Sequence, residues 1–272
     1  MHTQEQEQEQ EQEQEHAQVP SSVPVVAVVL AAGKGTRMRS DVPKVLHELA
    51  GAPLVRYPIR AARAAGAREV VVIVGYGADA VRARLRDDEE PGERIRFALQ
   101  AEQRGTGHAV LCALPSIAGH EGAVYILSGD VPLLRASTLR ALHGACARSS
   151  AGLALASFRP ADSAGYGRVI RGADGGAVAI REHRDASPAE RAIGECNAGV
   201  YCVDAGLLRR VLPTLGSANA QGEIYLTDLV AQAALEGAVS IVEIADPLEV
   251  AGVNTPEQLR ALEAELRRRG PS

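Results

Sequence analysis

The chain has 272 residues, of which 46% are hydrophobic and 23% charged, with a formal net charge of −5. That composition supplies a core for one large α/β domain or two small ones, and no apolar run reaches the roughly 18 residues of a membrane span. The arginines are scattered among acids, so no basic stripe for nucleic acid stands out, and neither nucleic acid nor membrane is expected as a partner.

Residues 1–18, MHTQEQEQEQEQEQEHAQ, alternate Gln and Glu and hold almost no apolar area to offset chain entropy. Residues 1–22 are therefore expected to form a disordered tail, and they lack the apolar stretch of a secretory signal. Removing the six tail glutamates takes the charge from −5 to +1, so the remainder is near neutral. From residue 25 short apolar runs alternate with amphipathic ones. VVAVVLA (25–31), EVVVIVG (69–75), RIRFALQ (94–100) and AVYILSG (123–129) predict strands, and 53–65, 77–86, 106–114 and 136–147 predict helices, the first with Pro53 as its opening residue. This order predicts an α/β fold, a Rossmann-like mixed but mostly parallel sheet with helices on both faces. Beyond residue 150 the texture changes. GLALASF (152–158), AVAIREH (177–183) and AGVYCVD (198–204) read as strands separated by Gly-rich turns, which suggests a small antiparallel lobe attached to the sheet. Helical patterns return at 204–213, 225–236 and 255–269, with VSIVEIA (239–245) as a further strand. Residues 23–269 thus read as one domain with a cleft between its halves. Cys112, Cys146, Cys196 and Cys202 show no C-x-x-C spacing, which reads as buried free thiols and a reducing cytoplasm.

The stretch LAAGKGTRMRSDVPK (30–44) carries the densest chemistry. It holds both lysines of the chain, Lys34 and Lys44; the other 27 of the 29 basic residues are arginines. Gly33 and Gly35 directly follow a buried strand, where glycines let the main chain turn and bring amide N–H groups to an anion. Ligand sites of open α/β sheets lie beyond such strand ends. Arg37, Lys34 and Lys44 add positive charge there, and a lysine is a compact mobile charge suited to a phosphoryl group that changes shape. The spacing is neither G-x-G-x-x-G nor G-x-x-x-x-G-K-[ST], so neither fingerprint applies. In QAEQRGTGHAV (100–110), Gly105 and Gly107 mark a strand-to-helix turn, and Thr106 is placed to cap the helix. Asp130, in SGDVPLL, ends an apolar strand before Pro132, a poor place for an acid unless it binds something, the alternative being a helix N-cap or turn aspartate. Asn254, in GVNTPEQL, reads locally as a helix N-cap, or its neighbour Thr255 does, with Pro256 at the first helical position.

LAAGKGTRMRSDVPKVLHELAGAPL (30–54) resembles the signature of the sugar-1-phosphate nucleotidyltransferases, in particular the pyrophosphorylase domain of bacterial N-acetylglucosamine-1-phosphate uridylyltransferases. Six further segments resemble later motifs of that family in the same order: 100–110, 128–134, GYGRVI (165–170), EHRDASPAERAIGECNAGVY (182–201), NAQGEIYLTD (219–228) and 252–259. The resemblance runs from about 24 to 262. It implies nucleotide contacts from Leu30, Ala31, Ala32, Gly33, Lys34, Gly35 and Lys44, with Gln100, Gln103, Gly105 and Thr106 reading the uracil. It implies Arg37 and Lys44 as catalytic cations, and Asp130 and Asn254 as ligands of Mg²⁺. Sugar contacts follow at Gly167, Glu182, Asn197, Tyr225 and Thr227. Ser128 stands where the family pattern often has tyrosine. The implied reaction transfers UMP from UTP to N-acetylglucosamine-1-phosphate, giving UDP-N-acetylglucosamine and pyrophosphate for peptidoglycan and other cell-envelope precursors. The family's second domain, an acetyltransferase β-helix with hexapeptide repeats, has no counterpart in this sequence, so neither acetylation nor its trimer is expected, leaving a monomer or a weak dimer. Two alternatives stand beside this reading: another sugar-1-phosphate or dTTP as substrate, and a non-catalytic regulator that binds a nucleotide sugar.

Overall fold

The centre of the molecule is β1 (Val25–Ala31), whose burial on both faces fits its unbroken apolar run. A computed structural model describes residues 23–87 and 94–269; the tail expected to be disordered lies outside the described residues. β1 is followed by a hairpin of β2 (Glu48–Leu49) and β3 (Ala52–Pro53), then by α1 (Arg56–Ala64), β4 (Ala67–Val74), α2 (Ala78–Asp87), β5 (Ile95–Leu99), α3 (Thr106–Ala113), β6 (Ala123–Ser128) and α4 (Ala136–Arg148). The second half contributes β7 (Leu153–Phe158), β8 (Arg168–Arg171), β9 (Ala177–Arg181), α5 (Pro188–Arg191), β10 (Cys196–Asp204), α6 (Ala205–Val211), α7 (Asp228–Glu236), β11 (Ser240–Ile244) and α8 (Pro256–Arg269).

The main sheet runs β11-β7-β10-β6-β1-β4-β5, with β8 and β9 branching from β10. β1 pairs parallel to β4 and β6, and β4 to β5. Ala31 pairs with Val74, Leu30 with Ser128 and Val74 with Leu99, so four carboxyl ends share one edge of the sheet. Alternate residues of β1 feed two cores. Ala27 and Val29 pack with the α1 and α4 side, and Val26 and Val28 with the α3, α6 and α7 side. Cys146, Cys196 and Cys202 are buried and Cys112 is half-buried, all as free thiols. Among the described residues no helix is long and apolar enough to cross a membrane.

Three expectations need correction. The helix predicted over 53–65 opens at Arg56, because Ala50 and Gly51 both take positive φ (48° and 82°) and turn the chain into the β2–β3 hairpin that contains Pro53. Residues 153–158 and 198–204 are not lobe strands. β7 is buried along its whole length and lies inside the main sheet, where β10 pairs antiparallel with both β6 and β7. The antiparallel lobe is instead the β8–β9 hairpin, attached through Arg168 opposite Cys196. β8 and α5 were not anticipated. The signal for α5 was present as a capping box, in which the Ser187 hydroxyl accepts from Glu190 N and Glu190 Oε2 accepts from Ser187 N.

Candidate active site

The loop after β1 turns through Gly35 at φ 65°, and a Cβ there would collide with the Cβ of Lys44. Glycine therefore allows the Lys44 side chain to pass against the loop and reach the end of β6. There Lys44 Nζ forms an ion pair with Asp130 Oδ2 and donates to Asn254 Oδ1 at 3.0 Å. Arg37 Nη2 donates to the same Asn254 oxygen at 3.0 Å. Three segments thus converge on one point: the loop after β1, the turn after β6 and the segment before α8. Val253 N donates to Asp130 O at 2.9 Å and ties the last two together through the main chain.

Asn254 is free to face this point because the helix cap falls to its neighbour. Thr255 Oγ1 accepts from Gln258 N at 3.2 Å, and Gln258 Oε1 accepts from Thr255 N at 3.1 Å and from Asn254 N at 2.8 Å. Gly252 belongs to the site although the sequence did not single it out. A Cβ there would stand 3.2 Å from Asp130 Oδ2 and 3.5 Å from Asn254 Nδ2, so glycine keeps the space between the two side chains open.

Two clefts meet at Ser128 and Asp130. The first, about 380 Å³, is lined by Leu30, Ala31, Ala32, Gly33 and Lys44 on one side and by Gln100, Gln103, Gly105 and Thr106 on the other, with Glu223 at its rim. Lys34 lines neither cleft; its ammonium lies 5.3 Å from the centre of the Tyr76 ring. Gln100 is buried, and its Nε2 donates to Gly105 O at 3.0 Å. Thr106 does not cap α3. The N-cap position is Gly105, at φ 103°, and the Thr106 hydroxyl instead accepts from Leu226 N at 3.0 Å. Gly107 N donates to Ile224 O at 2.8 Å, and Ile224 N to Arg104 O at 2.9 Å. A Cβ on Gly105 would lie 2.5 Å from Ile224 O, so the loop and residues 223–226 can lie this close only with glycine there.

The second cleft, about 480 Å³, holds Gly167, Glu182 and Asn197, with Arg37, Tyr166 and Asn254 toward the junction. A Cβ on Gly167 would press on Ile180 Cγ2 at 2.8 Å. Glu182 is pushed above the usual carboxylate range by burial, partly offset by the Thr227 hydroxyl that donates to its Oε1 at 3.0 Å; the charges of Asp185, Asp228 and Glu223 push it further up. Asn197 Oδ1 accepts from Gly199 N at 3.1 Å. Tyr225 and Thr227 line neither cleft. Thr227 is buried behind Glu182, and Tyr225, also buried, donates to Asp185 Oδ2 at 3.2 Å.

Asp130 Oδ2 and Asn254 Oδ1 both address one ammonium nitrogen, so the two oxygens can face a common cation. One carboxylate and one amide oxygen are a donor set that suits a small hard divalent ion whose remaining positions come from phosphate and water. Among the described residues no group of three or more His, Cys, Asp or Glu could hold a metal, so the fit is to this two-donor arrangement.

Comparison with known proteins places these elements in a family. A model of the MobA-like NTP transferase domain matches residues 27–265. The chain is 52% identical over 250 residues to the bifunctional protein GlmU of Anaeromyxobacter sp. strain Fw109-5, covering 92% of this chain and 50% of that protein. It is 50% identical over 245 residues to the bifunctional protein GlmU of Sorangium cellulosum, covering 89% and 52%. With the bifunctional protein GlmU of Pelobacter propionicus the identity is 48% over 246 residues, covering 90% and 53%. The chain spans about half the length of the curated relatives it matches.

Proposed function

The chain belongs to the family of MobA-like NTP transferase domains, and from that premise we propose that it transfers UMP from UTP to N-acetylglucosamine-1-phosphate, releasing pyrophosphate. The observation that carries this reading is the meeting of two clefts at Asp130, with Lys44, Arg37 and Asn254 converging on the junction. A reaction that passes a phosphoryl group between a nucleotide and a sugar phosphate needs two pockets sharing one charged wall.

In this reading UTP lies in the first cleft. Gln100 and Gln103 offer amides to the imide edge of uracil, and the loop from Leu30 to Gly35 turns its main chain toward the phosphates. N-acetylglucosamine-1-phosphate lies in the second cleft, with Glu182 on a sugar hydroxyl and Asn197 near the N-acyl group. Its phosphate oxygen attacks the α-phosphorus in line, a new P–O bond forms, the bond to the β-phosphate bridge breaks, and pyrophosphate carries away the electron pair. Lys44 and Arg37 hold the phosphates and neutralise their charge, so catalysis is positioning plus electrostatics with no covalent intermediate on the protein. Asp130 and Asn254 would hold Mg²⁺, which when bound supplies charge neutralisation and phosphate orientation. Lys34 lines neither cleft and bears on the Tyr76 ring, so it is left as a supplementary charge for the leaving phosphates rather than a lining group.

The test is pyrophosphate release over a matrix of the four NTPs and several sugar-1-phosphates, with Mg²⁺ present. UTP with N-acetylglucosamine-1-phosphate should be the fastest pair. A faster turnover with dTTP or with another sugar-1-phosphate would overturn the substrate assignment, and no turnover with any pair would overturn the activity.

A further inference from the structure

We propose that Tyr201 is a positioning residue for the sugar end of the second cleft, its buried phenol oxygen holding the Asn197 amide so that one N–H is presented to an acceptor on the N-acyl group of the sugar. This rests on the function proposed above and adds a residue to it.

β10 carries both residues. Asn197 pairs with Ser157 of β7 and Tyr201 with Leu155, so four steps along β10 oppose two along its partner. The excess is a bulge, and Gly199 sits in it at φ 70°. Asn197 Oδ1 accepts from Gly199 N at 3.1 Å, which commits the carbonyl side of the amide to the bulge. The other side must then donate, and Nδ2 donates to the Tyr201 hydroxyl at 2.7 Å. Of the two amide hydrogens one goes to Tyr201, and the other is left for the cleft that Asn197 lines.

Tyr201 is buried, opposite Leu155 of β7, in the core cluster that also holds Val169 and Ile180. A phenylalanine would fill the same space. What the tyrosine adds is an oxygen, and among the described residues its hydrogen-bond partner is Asn197. Burial, with the Glu182 charge nearby, raises the phenol well above its ordinary range, so it stays neutral and accepts at any working pH. Without that acceptor the amide loses one of its two fixed bonds and can swing away from the cleft.

The experiment measures KM for each substrate and kcat in Tyr201→Phe, Asn197→Ala and the double variant, with thermal melts alongside. Tyr201→Phe should raise KM for N-acetylglucosamine-1-phosphate about tenfold, the scale of one lost hydrogen bond, and leave KM for UTP, kcat and Tm within about twofold or a degree or two of the parent. In the Asn197→Ala background the second change should have no further effect on KM, because the oxygen then has nothing to hold. An unchanged sugar-phosphate KM in Tyr201→Phe, equal rises for both substrates, or a full effect on top of Asn197→Ala would overturn the inference. If the parent turns over but KM does not move, only the role of Tyr201 falls. If the parent shows no turnover, the functional reading falls and this inference with it.

Discussion

The two clefts are built by different means. The cleft proposed for the nucleotide is shaped by main chain: Gly35 lets Lys44 pass, Gly105 and Gly107 lie close against Ile224, and the amide of Gly107 bonds straight to a carbonyl. The cleft proposed for the sugar phosphate is shaped by side chains that are themselves held, Glu182 by Thr227 and Asn197 by its neighbours on β10. Both walls join segments far apart in the chain, Gly107 with Ile224 and Glu182 with Thr227, so they differ not in range but in what makes the contact, backbone in the first and side chains in the second. The first kind is stiff and tolerates no added atom. The second tolerates substitution in outline but loses its aim when one partner changes.

The junction belongs to neither side, and altering it should strike both substrates at once. Asp130→Asn should lower kcat at least ~10²-fold, as expected for loss of a preorganised electrostatic group. Its Tm should change little, since the main-chain bond from Val253 remains. A variant keeping half its rate would remove Asp130 from the chemistry. Lys44→Arg keeps the charge but replaces a compact ammonium, carried past Gly35 on its methylene stem to Asp130 and Asn254, with a planar fork; kcat/KM for UTP should fall on the order of 10- to 50-fold. The exposed Arg148→Lys is the control and should match the parent. If Lys44→Arg also matches it, charge alone suffices there.

Gly105→Ala tests the main-chain wall. Its φ of 103° and the approach to Ile224 O at 2.5 Å leave no room for a methyl group, so the loop must shift. KM for UTP should rise about tenfold with KM for the sugar phosphate unchanged. Equal rises would mean that the two walls move together.

The smallest expected effect contrasts two carboxylates of the second half, the half-buried Glu182 and the buried Glu195. Burial raises Glu182 above the usual range. Burial acts the same way on Glu195, but the Arg171 guanidinium and the Ser157 hydroxyl outweigh it and hold that carboxyl below the usual range. The signs are therefore opposite. Below the unfolded value near 4.3 the Glu182 site carries no penalty, and the native state loses stability as pH rises through its raised value. The Glu195 contribution is present above that unfolded value and is lost as pH falls through its lowered one. Glu182→Gln, whose amide oxygen can still accept from Thr227, should gain roughly 1–3 °C in Tm at pH 7.5 and nothing at pH 4. Glu195→Gln should lose Tm at pH 7.5. Melting curves that move both variants the same way at pH 7.5 would break the contrast.

The sequence spoke most clearly where the main chain decides. β1 occupies the predicted residues 25–31, because a strand buried on both faces must be apolar throughout. The glycine-rich loop and Asp130 were legible for the same reason: punctuation at a strand end is local. Thr106 was misread because its hydroxyl finds Leu226 N, 120 positions away, rather than its own helix. The resemblance implies sugar contacts at Tyr225 and Thr227; the structure places both as buried residues, bonded to Asp185 and Glu182. β7 and β10 were assigned to the lobe because antiparallel neighbours give no crossover helix to mark them as part of the main sheet. The competition between Asn254 and Thr255 for one cap was open in the sequence, and Gln258 decides it by completing a capping box with Thr255.

β10 has a mechanical consequence. One strand, bulged at Gly199, pairs with β6 at residues 201–204, with β7 at 196–197 and 201–203, and at Cys196 with the hairpin of the lobe. Ala177 of that hairpin bridges to Val239 on the far side. Among the described residues the lobe is therefore tied to the sheet at two places, which restrains it against the free swing of two bodies about a single hinge. In the reading proposed above, a sugar phosphate arriving beside Glu182 meets a lobe already tied to the sheet, so less of its affinity is spent on bringing the two together.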